Sequence, residues 1–170
     1  MNNLSFHITD ITANSIRANA SEIGLSVEEQ DARIVIRITD NGSGMDAETA
    51  RRVTNPFYTT RTTRKVGLGL PFLIQNAEQT GGSVTLTSEP GKGTDVRAVF
   101  HSDHIDCPPW GDLPGTVALL ITGNPKINVC FEYRSGETGY SISTNEIKEI
   151  LDGVPLSHPK VMLLIKEMIK

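Results

Sequence analysis

Between residues 4 and 20, Leu4, Ile8, Ile11, Ser15 and Ala18 recur at helical spacing, while His7, Asp10, Asn14 and Arg17 recur at three and four on another face. This predicts an opening helix with one core stripe and one stripe of chemically active residue types. Ile23, Leu25 and Val27 then alternate, a polar turn spans 28–32, and Ile34, Ile36 and Ile38 alternate again, which reads as an antiparallel hairpin with one buried face. The second strand runs straight into Asp40-Asn-Gly-Ser-Gly44. Asp46 is placed to cap a short helix over 46–53, and a Thr/Arg-rich, poorly periodic stretch up to Lys65 reads as a mobile loop. Gly67-Leu-Gly-Leu70 opens a helix that Gly81 and Gly82 end, and strands over 83–88 and 94–100 follow, joined by a Pro-Gly turn.

After Phe100 the texture changes to a stretch broken by Pro108 and Pro109, a boundary between residues 1–103 and a smaller α+β unit over 104–170. That unit reads as a helix over 113–121, a strand over 127–134, a short strand near Tyr140, a helix over 144–151 and a last helix opened by Ser157 and Pro159. His101, His104 and Cys107 are metal-ligating types, but their spacing matches no closed four-ligand pattern, and a linker is the preferred reading.

Composition narrows the function. Of the 170 residues 38% are hydrophobic and 21% charged, so the chain is globular, and aromatics at 5% leave the core to Ile, Val, Leu and Ala. A net charge of −4 disfavours a broad electrostatic footprint for nucleic acid. With no apolar run of bilayer length and no signal-like start, the expectation is a cytoplasmic protein with no membrane partner. Cys107 and Cys130 are expected to be free thiols.

Four segments need one explanation: Asp10-x-x-x-Asn14, Asp40-x-Gly42-x-Gly44, the Asn-Pro-Phe57 loop, and Gly67-x-Gly69 at a helix start. Asp10 and Asn14 lie one helical turn apart, so a carboxylate and an amide oxygen converge, as a hard cation and an activated water require. Glycines before a helix free its outward N–H groups for an anion. Arg61, Arg64 and Lys65 put cations in the loop of an acidic protein, either for a polyphosphate or as a solvated basic segment.

The order and spacing of the four resemble the GHKL ATPases: gyrase, the heat-shock chaperone, histidine kinases and MutL. The resemblance covers roughly residues 4 to 100 and implies a Bergerat ATP-binding fold, an α/β two-layer sandwich, with a small C-terminal α+β appendage. Residue by residue it implies that Asn14 holds Mg²⁺ and that Asp40 accepts the adenine amino proton, with Gly42 and Gly44 leaving room for the purine. It further places Met45, Phe57, Lys65, Gly67, Leu68, Gly69 and Thr94 around ATP, and Arg17, where histidine kinases often carry Lys, against phosphate. Asp10 stands where hydrolysing relatives carry Glu, and being one methylene shorter it implies a slow general base, with His7 the next candidate on the stripe. The expected function is a Mg·ATP-binding, slow ATPase or kinase-like protein of bacterial signalling, acting with a protein partner or phosphoryl acceptor. The alternative is a nucleotide-gated interaction module without significant turnover. As a whole, the chain is also similar to small bacterial proteins of this family encoded beside iron-hydrogenase genes.

Overall fold

Alternation along the chain becomes one six-stranded sheet. In the computed structural model, which describes residues 3–54 and 69–169, the elements are α1 (Leu4–Arg17), β1 (Glu22–Gln30), β2 (Arg33–Asp40), α2 (Ala47–Thr54), α3 (Gly69–Gln79), β3 (Ser83–Glu89), β4 (Gly93–His101), α4 (Leu113–Thr122), β5 (Asn128–Ser135), β6 (Thr138–Ser143), α5 (Thr144–Leu151) and α6 (Pro159–Met168). The strand order is β3-β4-β2-β1-β5-β6, antiparallel throughout except for the parallel β1–β5 pair.

One sheet face is apolar. Ile23, Leu25 and Val27 of β1, Ile34, Ile36 and Ile38 of β2, Val96, Ala98 and Phe100 of β4, and Val129 and Phe131 of β5 are all buried and meet Leu4, Ile8 and Ile11 of α1 and Leu70, Leu73 and Ala77 of α3. The opposite face carries Arg37, Arg97 and Glu132 in the intervening positions, all exposed. The result is a two-layer α/β sandwich, the fold that the resemblance implied.

Two differences from the sequence reading have physical causes. The first hairpin turn is tighter than 28–32: β1 runs to Gln30 and only Asp31 and Ala32 turn the chain, both left-handed with φ of 55° and 60°. Glu28, Glu29 and Gln30 look like a turn because they are polar, but Glu29 accepts a hydrogen bond from the Trp110 indole (3.1 Å) and another from the Tyr133 hydroxyl. The second difference concerns residues beyond 104. Their strands do not form a sheet of their own: β5 pairs with β1 through eight residues and β6 becomes the sheet edge. Pro109 and Trp110, just before α4, present their carbonyls to the Leu4 and Ser5 N–H groups (2.8 and 3.0 Å), while Asn3 Oδ1 accepts from Phe6 N–H (2.7 Å). The orphan donors of the first turn of α1 are thus satisfied largely from the C-terminal part of the chain.

Candidate functional site

The C-terminal half of α1, the end of β2 and the start of β4 enclose a cleft of about 250 Å³. Its walls include Asn14, Ser15 and Arg17 of α1, Asp40 of β2, Gly44 and Met45 of the following loop, and Thr94 of β4; Ile11, Ile38, Leu70 and Val96 make it apolar within. Six residues assigned from sequence (Asn14, Arg17, Asp40, Gly44, Met45 and Thr94) therefore meet in one place. The lining is an apolar bed with the Asp40 carboxylate at its side.

Asp40 is held from two directions: Ser15 Oγ donates to its Oδ2 (2.6 Å) and the Gly42 N–H to its Oδ1 (2.9 Å). Both bonds fix the carboxylate while leaving further acceptor capacity. The loop after it is fastened on both sides. The Ser43 N–H donates to the Ala18 carbonyl (2.9 Å), the Gly91 N–H to the Ser43 carbonyl (2.7 Å), and the Met45 N–H to Ser88 Oγ (2.8 Å), which also lies 2.9 Å from Thr94 Oγ1.

The glycines of this loop serve packing more directly than ligand access. A Cβ on Gly42 would sit 2.7 Å from the Ala18 carbonyl oxygen, and one on Gly44, at φ +70°, only 1.9 Å from that of Glu89. They are required because backbone meets backbone there. Ser15 lines the cleft, while Ser88 and Asn41 fasten its loop from outside it, and the sequence reading singles out none of the three for the site. Asn41 Oδ1 accepts from the Ser21 and Glu22 N–H groups (2.9 and 3.0 Å), tying the end of β2 to the start of β1. In the sequence Ser15 sits within an apolar stripe and reads as core filler; a hydroxyl one residue past Asn14 is the available signal.

Asp10 and Gly69 belong to an adjoining groove, about 860 Å³ and open, shared with Phe6, Thr54 and Phe72. The two lie close together: a Cβ on Gly69 would sit 2.9 Å from Asp10 Oδ2. Burial raises the Asp10 carboxyl above its ordinary range, and the Arg17 guanidinium pulls it partly back. Arg17 Nη2 donates to Asn14 Oδ1 at 2.5 Å. Asp10, Asn14 and Arg17 therefore form one electrostatic stripe. Their carboxylate and amide oxygens are the hard donors that suit Mg²⁺, and a cationic group already sits among them.

His7 does not join this stripe. It is 1% exposed, Asn76 Nδ2 lies 2.7 Å from its Nε2, and burial lowers its pKa to about 4. At that pKa the ring is neutral at pH 7, and its Nδ1 is buried with no hydrogen-bond partner among the described residues. It is a core histidine packed near Phe72 and Phe100, buried away from any ligand that Asp10 could meet. Phe57, Lys65, Gly67 and Leu68, with Arg61 and Arg64, lie outside the described residues. Among the described residues no three metal-ligating side chains converge, so His101, His104 and Cys107 form no such group.

Residues 3–104 match the model of a family described as histidine kinase-, DNA gyrase B-, and HSP90-like ATPases. The chain is 40% identical over 67 residues to a putative sensor protein of Shewanella frigidimarina, covering 39% of this chain and 10% of that protein. It is 29% identical over 104 residues to the sensor histidine kinase YxdK of Bacillus subtilis (57% and 32%), and 30% identical over 101 residues to sporulation kinase C of the same organism (58% and 23%). The chain thus spans about a third or less of the length of these relatives. In fold it is similar to a crystal structure of the N-terminal domain of a DNA repair protein, with a TM-score of 0.63 at 17% identity over 87% of this chain and 56% of that one. That coverage is larger than the family segment, so the likeness of fold reaches into the residues beyond 104.

Proposed function

The chain belongs to the histidine kinase-, DNA gyrase B-, and HSP90-like ATPases and carries an ATP-binding, histidine kinase-like domain; from that premise we propose that it binds Mg·ATP with adenine in the Asp40 cleft and acts as a slow ATPase or kinase-like protein in bacterial signalling. The observation that carries this reading is the anchored Asp40 carboxylate at the side of a small apolar cleft. A carboxylate there accepts from an exocyclic amine while the apolar bed takes the purine faces. Asn14 would hold Mg²⁺ through its amide oxygen, Arg17 and the Gly69 end of α3 would meet phosphates, and Asp10 would orient or deprotonate a water. Bound Mg²⁺ would supply charge neutralisation to the phosphates. Phe57, Lys65, Gly67 and Leu68 complete the proposed set by their place in the motif.

A protein partner or phosphoryl acceptor belongs to the same proposal, as does a cytoplasmic location; among the described residues no helix is long and apolar enough to cross a membrane. The second reading, a nucleotide-gated interaction module without significant turnover, draws on the backbone bonds from α1 to Pro109 and Trp110. They join the helix of Asn14 to the C-terminal unit, and in this reading they are the route by which bound nucleotide would reach a partner surface there. Equilibrium binding and multiple-turnover assays with purified protein and ATP, in Mg²⁺ and in EDTA, decide between them. Binding with measurable phosphate release favours the enzyme; tight binding without release favours the gate; no binding rejects both.

A further inference from the structure

Asn14 carries the oxygen that the proposed metal needs, and that oxygen already accepts from a cationic group. Arg17 Nη2 donates to it at 2.5 Å. The same guanidinium acts on the Asp10 carboxylate, the other hard oxygen of the stripe. Arg17 is exposed, so no packing forces it into this position. We infer that Arg17 is a resident stand-in for the divalent cation: its guanidinium and Mg²⁺ are alternative partners of the Asn14 amide oxygen, and Arg17 sets how strongly nucleotide binding depends on metal.

The physical basis is competition for one acceptor. A guanidinium is permanently charged and donates along fixed directions, whereas Mg²⁺ demands close oxygen ligands in an octahedron. The Asn14 amide oxygen has a second lone pair, but a guanidinium and a divalent cation sharing that one oxygen repel each other, so Mg²⁺ binding there weakens or displaces the Arg17 bond. With Arg17 in place, ATP would arrive at a site whose positive charge is partly supplied by the protein. Nucleotide binding would then persist in EDTA, and Mg²⁺ would add less than the donor set permits. This rests on the proposed Mg·ATP reading.

The test compares the affinity of the full chain for a non-hydrolysable ATP analogue in Mg²⁺ and in EDTA, by calorimetry, for wild type, Arg17→Gln, Asn14→Ala and the double variant. The readout is the ratio of the two dissociation constants. Arg17→Gln is expected to enlarge the Mg²⁺ advantage about two- to fivefold, the range of an exposed charged contact, and this enlargement is expected to vanish in the Asn14→Ala background. In metal-free, nucleotide-free protein, the Asn14 side-chain amide resonances should shift on Arg17→Gln. An unchanged ratio in Arg17→Gln, or an enlargement that survives Asn14→Ala and so reflects bulk charge alone, overturns the stand-in role while leaving ATP binding intact. Failure of the wild type to bind the analogue in either condition overturns the Mg·ATP reading and this inference with it.

Discussion

Asp40 owes its position to Ser15 Oγ and the Gly42 N–H, so its chemistry can be altered without disturbing the core. Asp40→Asn is expected to keep the fold and to weaken adenine nucleotide binding by about 1 to 3 kcal/mol, because an amide nitrogen in place of an acceptor leaves the ligand amine unpaired. Calorimetry that finds the affinity unchanged in a folded variant would remove adenine recognition from this residue. Asp10 carries a separate expectation. Its carboxyl is raised by burial and lowered by Arg17, so if it acts as the base, any turnover should rise with pH as it ionises. Arg17→Gln should move that inflection to higher pH; a pH–rate profile with the inflection unmoved argues against Asp10.

His7 makes stability depend on pH. Its folded pKa of about 4 lies below the ordinary 6.5, so the unfolded chain binds the extra proton between those values. The contribution of neutral His7 is complete above about 6.5 and is lost as pH falls through this window, by about 3 kcal/mol in all. Urea titrations at pH 7 and pH 4.5 should show a smaller acid loss in His7→Gln than in wild type; equal losses would mean that His7 is not the group responsible.

At the scale of elements, the loop between β2 and α2 is held by partners from three others. Ser88 Oγ on β3 receives the Met45 N–H, contacts Thr94 Oγ1 and donates to the Gly93 carbonyl. Ser88→Ala is expected to cost about 1 to 2 kcal/mol of stability and to weaken nucleotide binding although Ser88 lies outside the Asp40 cleft; chemical denaturation together with calorimetry checks both parts. The elements themselves were largely readable, because alternating Ile residues, Asp46 as a cap and the glycine-ended helix are local signals. Asp46 Oδ1 does accept from the Thr49 N–H (2.8 Å). What could not be read was who meets whom. Ser15 looked apolar in role until Asp40 came within reach, and Glu29 looked like a turn residue until Trp110 and Tyr133 arrived from about 80 and 100 positions away. The placement of Asp10 and Gly69 in a groove apart from Asp40 is likewise a tertiary fact.

At the scale of the molecule, the same limit explains why residues 104–170 read as an appendage. Parallel pairing of β1 with β5 is a long-range contact that periodicity cannot signal. Phe131, Val117 and Ile121 share the core with Leu25 and Leu4. Removing 104–170 is therefore expected to uncover the long edge of β1 and the N–H groups of Leu4 and Ser5, leaving 1–103 aggregation-prone and without cooperative unfolding. Soluble yield and a thermal melt followed by circular dichroism check this; a monomeric fragment with a sharp transition would mark an independent domain.

Trp110 is the sole tryptophan of the chain. Its indole donates to Glu29 and its carbonyl receives the Ser5 N–H, so the protein carries an intrinsic fluorophore at the seam between its two parts. Parting of the seam would hydrate the ring and move its emission to longer wavelength, and release of the Glu29 carboxylate would alter the quantum yield. Events at the start of α1 can thus be followed in the unlabelled protein, in stopped flow, with excitation selective for one residue.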